Sequence, residues 1–383
     1  MKQRVAVIGG GVSPEHEVSL VSAARVCEAL SGRGYPLTTV WIDPTGAWHV
    51  VPDAAGPWSG ASFRQRGSSA ARVDALAGPA ALTCAGVACV FPALHGRGGE
   101  DGQIQTLLDV AGLPYVGSGP TASAIGMSKL QSRLAFAGAG LPLPRAWLPE
   151  RAGAATLSAA AVAAAIDAAG FVFPVFVKED LCGSSLGVER VEQPAGFAKA
   201  LARVRELGTY WLVEEGVVGI ELTCAVLGNS AESLQALPPV EIRPRHAAFF
   251  DYAAKYDGSA TEEICPAPSL DAALTAEVQS LAVRAHEVLG CRGFSRTDMM
   301  LGPTGVKILE TNTLPGLTPE SLLPRAAAAA GLEFADLIEL SLALAAPSRT
   351  GQERAVLLPR PTPTGQATTF GKTQDRLIHG RTS

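Results

Sequence analysis

The 383-residue chain lacks an excess of positive charge, a long apolar run and a leader-like N-terminus. Its formal net charge is −5. Because nucleic acids are bound by clustered lysine and arginine, we expect no nucleic-acid partner. No run of about 20 apolar residues free of charges and breakers occurs, so we expect no membrane span. The first residues pass from charges directly into a strand-like stretch without a small-residue cleavage site, which is not typical of a signal peptide.

Paired cysteines are lacking as well. The seven cysteines form no CxxC motif, are odd in number and are scattered along the chain. This pattern predicts reduced thiols and a cytoplasmic protein. Hydrophobic residues make up 47% of the chain and charged residues 17%, which is typical of soluble α/β proteins. The length predicts two or three domains.

The arrangement of strand-like and helix-like stretches changes along the chain. In the first third, strands at RVAVIGG, PLTTVWID and CVFPALHG alternate with helices at HEVSLVSAARVCEAL and DGQIQTLLDVAGL, which predicts a parallel sheet. The middle section pairs FPVFVKED with LGVERV and mixes strands and helices differently, which favours an α+β arrangement. Residues 347–383 are polar and aperiodic, and are predicted to be a disordered tail.

A glycine-rich turn follows the first predicted strand, in VAVIGGGVSPEHEVSL. Dinucleotide-binding loops have the pattern G-x-G-x-x-G, but here Gly9 and Gly11 are followed by Pro14 at the third position. Asp43 ends the second strand and could act as the ribose-binding acid, so a nicotinamide-dependent oxidoreductase remains an alternative for this stretch. Glu15 could interact with the helix dipole, or it could hold the ammonium group of a ligand at the carboxyl end of a parallel strand.

A second group of polar residues lies in SRTDMMLGPTGVKILETNT. Glu310 and Asn312 are two residues apart and project from the same face of one strand, and Asp298 can join them across a hairpin. Two carboxylates and an amide suit Mg²⁺ that carries nucleotide phosphates, whereas the alternative is a solvated hairpin with incidental acids. Arg296 and Lys307 favour the first interpretation, because phosphoryl transfer requires cations beside the metal.

Three lysines lie where phosphate contacts are expected. Lys129 is in GMSKLQSR, Lys178 ends the apolar strand FVFPVFVK, and Lys255 is in FDYAAKY. The small residues CGSSLG after Lys178 could cover a phosphate with their backbone amides. Each of these features alone is weak.

Taken together, the motifs identify a family. The sequence resembles the D-alanine–D-alanine ligases of the ATP-grasp superfamily over most of residues 5–345. The segments that carry the resemblance, in order, are GGGVSPEHEVSL, FPALHGRGGEDGQIQTLLDVAGLPYVGSG, FPVFVKEDLCGSSLGVERV, LVEEGVVGIELTCAVLG, FFDYAAKY, GFSRTDMML and ILETNTLPGLTPESLLPRAA. HGRGGEDGQIQ and ETNTLPGLTPESL are the most specific of them.

The resemblance implies a combined α/β and α+β fold, in which an ATP-grasp fold follows an N-terminal parallel-sheet domain of Rossmann-like, pre-ATP-grasp type. The expected parts are an N-terminal substrate domain (1–125), a central ATP-grasp subdomain (126–220), a C-terminal ATP-grasp subdomain with the metal site (221–346) and the tail (347–383). The implied reaction uses ATP and two Mg²⁺ or Mn²⁺ ions to phosphorylate one D-alanine, whose acyl phosphate a second D-alanine attacks. A cytoplasmic homodimer that serves peptidoglycan synthesis is also implied.

The resemblance further implies roles for individual residues. For the amino acid substrates, Glu15 would hold the first ammonium group, His95 would lie near the same substrate, Arg296 and the Gly316 amide would form the oxyanion hole, and Ser321 would anchor the second carboxylate. For the nucleotide, the implied residues are Lys129, Lys178, Ser185, Glu214, Val217, Glu221 and Lys255. Glu214 and Val217 would meet the adenine largely through backbone, and Glu221 would bind the ribose. The implied metal ligands are Asp298, Glu310 and Asn312, and Ser184, Lys255 and Tyr256 would belong to closing loops.

The chain departs from the family pattern at a few positions. Ser128 replaces a usual aspartate, and Glu179, Asp180 and Cys182 replace proline and small or basic residues. Acids there would weaken ATP binding if they pointed toward the phosphates. Two alternatives remain: a ligase that uses D-lactate or D-serine as acceptor, and a non-catalytic relative that binds ATP or D-amino acids. The presence of Tyr256 favours D-alanine as the acceptor.

Overall fold

The computed structural model describes residues 2–150, 153–183, 187–244 and 261–345. Within these residues the chain forms three β-sheets that follow one another along the sequence, and helices pack on each sheet. The predicted tail, residues 347–383, lies outside the described residues. In the part of the chain that is described, no helix is both long enough and apolar enough to cross a membrane.

The first sheet has a parallel centre. Its strands are β1 (Val5–Gly10), β2 (Leu37–Ile42), β3 (Trp48–Val51), β4 (Arg72–Val73) and β5 (Cys89–Pro92). The helices around it are α1 (His16–Gly32), α2 (Gly60–Ser68), α3 (Gly78–Cys84) and α4 (Gln103–Val110). Strand β1 lies between β2 and β5 and is parallel to both, whereas β3 and β4 extend the sheet in antiparallel fashion. The predicted parallel sheet is confirmed at its centre.

The glycines that end β1 position the first residues of α1. All six residues of β1 are buried. A Cβ atom on Gly9 would lie 2.6 Å from the Cβ of Ala23, so this glycine allows α1 to pack closely on the strand. Gly10 and Gly11 have φ angles of +96° and +100°, which glycine adopts without steric penalty. The turn that they form leads directly to Glu15, which precedes α1.

The second sheet is antiparallel. Its strands are β6 (Ala146–Trp147), β7 (Val175–Glu179), β8 (Val188–Val191) and β9 (Trp211–Glu215), in the spatial order β6-β9-β7-β8. The helices of this part of the chain are α5 (Pro120–Met127), α6 (Lys129–Gly138), α7 (Ala159–Ala168) and α8 (Phe197–Leu207). Alternate residues of β7 are buried, so Val177 faces the apolar core while Lys178 faces the opposite side of the sheet.

The third sheet is also antiparallel and contains the predicted hairpin. Its strands are β10 (Ile220–Leu227), β11 (Gln235–Ala236), β12 (Val240–Pro244), β13 (Thr261–Ile264), β14 (Phe294–Gly302) and β15 (Gly305–Asn312). The helices are α9 (Ala272–Leu289), α10 (Leu322–Ala329) and α11 (Phe334–Ala343). The spatial order is β13-β12-β10-β14-β15, and β11 pairs with β10.

A β-bulge interrupts the hairpin of β14 and β15. Asp298 pairs with Glu310, but the next pair is Met299 with Ile308, so Leu309 is the extra residue. Before the bulge Ile308 is buried, and after it Thr311 is buried. The bulge therefore reverses the alternation of side chains along β15, and this reversal turns Glu310 and Asn312 away from the apolar core.

The C-terminal helices complete the core of the first sheet. Buried side chains of the first sheet form one apolar cluster with Leu314, Leu323 and Leu337. Helix α11 packs on α1, and Arg33 forms an ion pair of 2.5 Å with Asp336 at the edge of this contact. This packing attaches the C-terminal helices to the first sheet and its helix α1.

Candidate active site

Two cavities meet above the third sheet. The inter-sheet cavity, about 600 Å³, is lined by residues of the second and third sheets. The loop cavity, about 640 Å³, is lined by the loop after β1, the loop after β5, strand β13 and the loop before α10. Both are lined by Glu221, Ile242, Asp298 and Glu310. The two cavities therefore form one continuous site with the hairpin carboxylates at its centre.

All five described residues that were expected to bind the nucleotide line the inter-sheet cavity: Lys129, Lys178, Glu214, Val217 and Glu221. The Lys129 Nζ donates to the Cys182 carbonyl oxygen at 2.5 Å and lies 4.0 Å from the Glu310 Oε2. Because Lys129 is the first residue of α6, this helix places a cation between the two antiparallel sheets.

The Glu214 carboxylate is bound by two cations. Its Oε1 accepts a hydrogen bond from Lys178, and its Oε2 accepts one from the Arg133 Nη1 at 2.9 Å. Arg133 also donates to the Pro144 carbonyl oxygen. Sequence reasoning missed Arg133, although it follows Lys129 by four residues and so lies on the same face of α6.

The acids that depart from the family pattern do not enter the inter-sheet cavity. The Asp180 Oδ1 accepts hydrogen bonds of 2.8 Å from the Ser128 Oγ and the Leu130 backbone N–H. Asp180 thus caps the start of α6, where the sequence has Ser128 in place of an aspartate. Glu179 is buried and accepts from the Leu181 backbone N–H at 2.7 Å. Neither acid lines the cavity. Weaker ATP binding would require them to point toward the phosphates, and they do not.

Asp298 is the most densely hydrogen-bonded carboxylate of the hairpin. Arg296 donates to both of its oxygens at 2.8 Å, Thr223 donates to Oδ1 at 2.6 Å, and the Asn312 Nδ2 donates to Oδ2 at 3.2 Å. Burial lowers the pKa of Arg296, but the charge and hydrogen bonds of Asp298 outweigh it and hold that pKa above its ordinary value. Arg296 is therefore a permanent cation at the junction of the cavities.

The hairpin oxygens suit a hard divalent cation. Asp298, Glu310 and Asn312 provide carboxylate and amide oxygens, which Mg²⁺ prefers. Within the described ranges, no group of three or more histidine, cysteine or acidic side chains is arranged to hold a metal. A cation at these residues would therefore take further ligands from a phosphate or from water, as Mg²⁺ commonly does.

Glu15 and His95 meet in the loop cavity. Glu15 is buried, and Gly96 in the loop after β5 has a φ angle of +65° and would place a Cβ atom 2.8 Å from the Glu15 Oε2, so glycine suits this close approach. The His95 Nε2 lies 3.1 Å from the Ser22 Oγ. Burial lowers the pKa of His95 more than the charge of Glu15 raises it, so the imidazole is neutral near pH 7.

Glu100 is an acid of this cavity that sequence reasoning did not single out, although it lies within HGRGGEDG. Its Oε2 accepts a hydrogen bond of 3.1 Å from the Gly96 backbone N–H. Burial raises the pKa of Glu100 to about 8, and the charge of Glu15 contributes in the same direction. A second carboxyl group thus stands beside Glu15, and its charged form is disfavoured.

The loop that carries Gly316 is held by α1. The Leu317 N–H donates to the Ser22 Oγ at 3.4 Å, and Arg25 donates to the Leu317 carbonyl oxygen at 3.2 Å. Ser321 precedes α10, and its Oγ accepts from the Thr318 N–H at 2.9 Å. Sequence reasoning identified Gly316 and Ser321 but missed Ser22 and Arg25, because contacts between segments about 290 residues apart leave no local pattern.

Two family models match the chain. The model described as D-ala D-ala ligase N-terminus matches residues 4–118, and that described as D-ala D-ala ligase C-terminus matches residues 135–342. The chain belongs to the D-alanine–D-alanine ligase family. The family that the motifs indicate is thereby confirmed.

Curated relatives and solved structures of this ligase family match most of the chain. It is 39% identical to a D-alanine–D-alanine ligase of Oleidesulfovibrio alaskensis over 346 residues, which cover 89% of this chain and 97% of the relative. It is 38% identical to a D-alanine–D-alanine ligase of Arthrobacter sp. over 376 residues, which cover 91% of this chain and 96% of the relative.

Among solved structures, the chain is similar to the VanG D-Ala:D-Ser ligase from Enterococcus faecalis, with 29% identity and a TM-score of 0.74 over 90% of this chain and 99% of that one. It is also similar to the D-alanine-D-alanine ligase from Coxiella burnetii, with 28% identity and a TM-score of 0.72 over 90% and 95% of the two chains. These likenesses confirm the expected ATP-grasp fold class with its N-terminal parallel sheet.

Four of the residues that the ligase resemblance implies are not among the described ones. Ser184, Ser185, Lys255 and Tyr256 lie outside the described residues. The others, from Glu15 to Ser321, lie in or beside the continuous site.

Proposed function

We propose that the chain joins two D-alanines to D-alanyl-D-alanine at the expense of ATP, for peptidoglycan precursor synthesis. The observation that carries this proposal is the junction of the two cavities at Asp298 and Glu310, beside Arg296. A nucleotide in the inter-sheet cavity would direct its terminal phosphate toward an amino acid in the loop cavity. Such a junction suits phosphoryl transfer between two bound ligands rather than the binding of a single ligand.

The first step converts a poor electrophile into a good one. The carboxylate of the first D-alanine attacks the γ-phosphorus of ATP, the bond to the β-phosphate oxygen breaks, and ADP leaves. Lys129 and Lys178 would bind the phosphates, Glu221 the ribose, and the backbone at Glu214 and Val217 the adenine. The side chain of Glu214 is held by Lys178 and Arg133, which supports contact of the adenine with the backbone.

In the second step, the amine of the second D-alanine attacks the acyl carbon and inorganic phosphate leaves. Glu15 would hold the first ammonium group, and Ser321 would anchor the carboxylate of the second substrate. Arg296 and the Gly316 N–H would stabilise the oxyanion of the tetrahedral intermediate. The attacking amine must be neutral, so the ammonium form that dominates near pH 7 has to lose a proton.

Two Mg²⁺ or Mn²⁺ ions are part of the proposal. Asp298, Glu310 and Asn312 would hold them, and the ions would neutralise charge on the transferring phosphoryl group. The family resemblance also supports a cytoplasmic homodimer. Sedimentation equilibrium would measure the mass of the assembly.

ADP release and product analysis test the proposed reaction. With Mg²⁺ present, ADP release should require D-alanine, and the dipeptide should dominate at pH 7 when D-alanine, D-serine and D-lactate compete at equal concentration. Ser321→Ala should raise the KM for the second D-alanine more than that for ATP, whereas the exposed Ser69→Ala should change neither. A wild-type enzyme without D-alanine-dependent ADP release would refute the reaction, and a dominant D-serine or D-lactate product would refute the acceptor.

A further inference from the structure

Lys178, Glu214 and Arg133 form an ion triad at the wall of the inter-sheet cavity. Lys178 and Arg133 bind different oxygens of the same carboxylate. The side chain of Lys178 is 15% exposed, that of Glu214 6% and that of Arg133 14%. The triad carries two positive charges and one negative charge, so it contributes one net positive charge to the cavity wall.

Arg133 does not face the ligand space itself. It lines neither cavity, whereas Lys178 and Glu214 line the inter-sheet cavity. Its second contact is with the Pro144 carbonyl oxygen. Arg133 can therefore affect a bound nucleotide only through Glu214 or through the backbone near residue 144.

The partner of Glu214 decides how readily Lys178 can move. If Lys178 were the sole cation beside Glu214, its departure would leave a buried carboxylate without a counter-charge, which is strongly unfavourable. Lys178 would then remain on Glu214, and the pair would offer an anionic ligand no net charge. With Arg133 in place, Glu214 keeps a charged partner when Lys178 turns toward a phosphate.

We propose that Arg133 is a positioning residue that neutralises Glu214 and thereby makes Lys178 available to the phosphates of the nucleotide. This inference rests on the proposed binding of ATP in the inter-sheet cavity. It assigns Arg133 a role in the binding of phosphates and none in the binding of adenosine or D-alanine.

Binding of ADP and of adenosine to the full-length protein can be measured by calorimetry with Mg²⁺. The two affinities show whether Arg133 acts by neutralising the charge of Glu214 or only by stabilising the local structure. Arg133→Met should weaken ADP binding about tenfold, the scale of one lost charge-assisted hydrogen bond, and should change adenosine binding less than about twofold. Arg133→Lys should restore most of the ADP affinity. Arg203→Met is the matched control, because it removes an exposed arginine that pairs with Glu189 in the same part of the chain.

A double variant decides the matter. In a Glu214→Gln background the carboxylate that needs a counter-charge is gone, so adding Arg133→Met should change ADP affinity less than about twofold. If Arg133→Met weakens ADP and adenosine alike, or if its effect on ADP is the same in the Glu214→Gln background, Arg133 only braces the structure and the inference is wrong. Steady-state kinetics should agree, with a raised KM for ATP and an unchanged KM for D-alanine.

The outcomes keep the two proposals apart. A wild-type protein that binds ADP but makes no dipeptide would refute the proposed reaction and leave the test of Arg133 intact. If the wild type makes the dipeptide and Arg133→Met does not change the affinity for ADP, only the inference about Arg133 is refuted.

Discussion

The inter-sheet cavity and the loop cavity share Asp298 and Glu310 but differ in the balance of their charges. Among the described residues, six carboxylates and four lysines or arginines line the inter-sheet cavity. Nine carboxylates and two arginines line the loop cavity. Acids thus outnumber cations in both linings, by two in the inter-sheet cavity and by seven in the loop cavity, so the first is better suited to an anionic ligand and the second to ammonium groups and metal ions.

The pKa values of individual acids follow this difference. In the inter-sheet cavity, burial raises the pKa of Glu241, but hydrogen bonds from Arg243 and Ser269 outweigh it, and the pKa lies below its ordinary value. In the loop cavity, burial raises the pKa values of Glu100 and Glu263 above the ordinary value. Glu241 has partners that stabilise its charged form, whereas burial and neighbouring acids disfavour the charged forms of Glu100 and Glu263. A bound cation would therefore stabilise these two acids.

The largest expected effect comes from the junction that the two cavities share. Glu310→Gln keeps the shape of the side chain but removes a charge from the proposed metal site, so turnover should fall roughly a thousandfold. The melting temperature should stay close to that of the wild type. Steady-state turnover and thermal unfolding measure the two quantities.

Glu17→Gln is the control for this variant. Glu17 also lines the loop cavity, but it is exposed and forms an ion pair with Arg64, so its variant should keep near-normal turnover. Near-normal turnover of Glu310→Gln at ordinary Mg²⁺ concentration would remove Glu310 from the metal site.

A smaller effect on turnover is expected from a substitution that disturbs only the loop cavity. Arg25→Met removes the donor that holds the Leu317 carbonyl, so the adjacent Gly316 N–H loses part of its fixed position. Because small misplacements of catalytic groups slow a reaction, kcat should fall about tenfold, while the KM for ATP stays constant. Together with Arg133→Met, this variant would show whether the two cavities can be disturbed independently.

Arg33→Met provides the comparison for Arg25→Met. Arg33 follows α1 and pairs with Asp336 and Glu339 at the surface, so its loss should leave kcat unchanged. If Arg25→Met raises the KM for ATP as strongly as it lowers kcat, the contact with Leu317 does not act on the loop cavity alone.

The hairpin shows how far the sequence predicts the site. The spacing of Glu310 and Asn312 places both on one face of a strand, and the structure agrees with this. The direction of that face depends on the bulge at Leu309. Continued alternation from the buried Ile308 would turn Glu310 into the apolar core. No local pattern predicts the bulge, because it arises from the pairing of β14 with β15.

Contacts between distant segments could not be predicted either. Ser128 and Asp180 appear in the sequence as two separate departures from the family pattern, yet the structure joins them in one cap at the start of α6. Arg133 and Glu214 are 81 residues apart, and each has an ordinary local context. Motifs predict the groups that are proposed to touch ligands, whereas the groups that hold those side chains in place become visible only in the folded structure.

The smallest expected effect is a pH-dependent change of stability at Glu100. Because its pKa is raised from 4.5 to about 8, the folded protein binds more protons than the unfolded chain between these pH values. The free energy of unfolding therefore falls as the pH rises through this range. Glu100→Gln removes the charge and keeps an acceptor for the Gly96 N–H. It should raise the melting temperature by about 2 °C at pH 8, and by less at pH 6.

The measurement uses metal-free protein without nucleotide or D-alanine, because bound cations would stabilise the ionised Glu100. Glu28→Gln is the control, since Glu28 is an exposed acid on the neighbouring helix α1. The melting temperature of this variant should equal that of the wild type at both pH values. An equal gain for Glu100→Gln at pH 6 and pH 8 would show that the gain does not come from ionisation. The excess of acids in the loop cavity would then not destabilise the empty site, and the contrast with the inter-sheet cavity would be one of composition only.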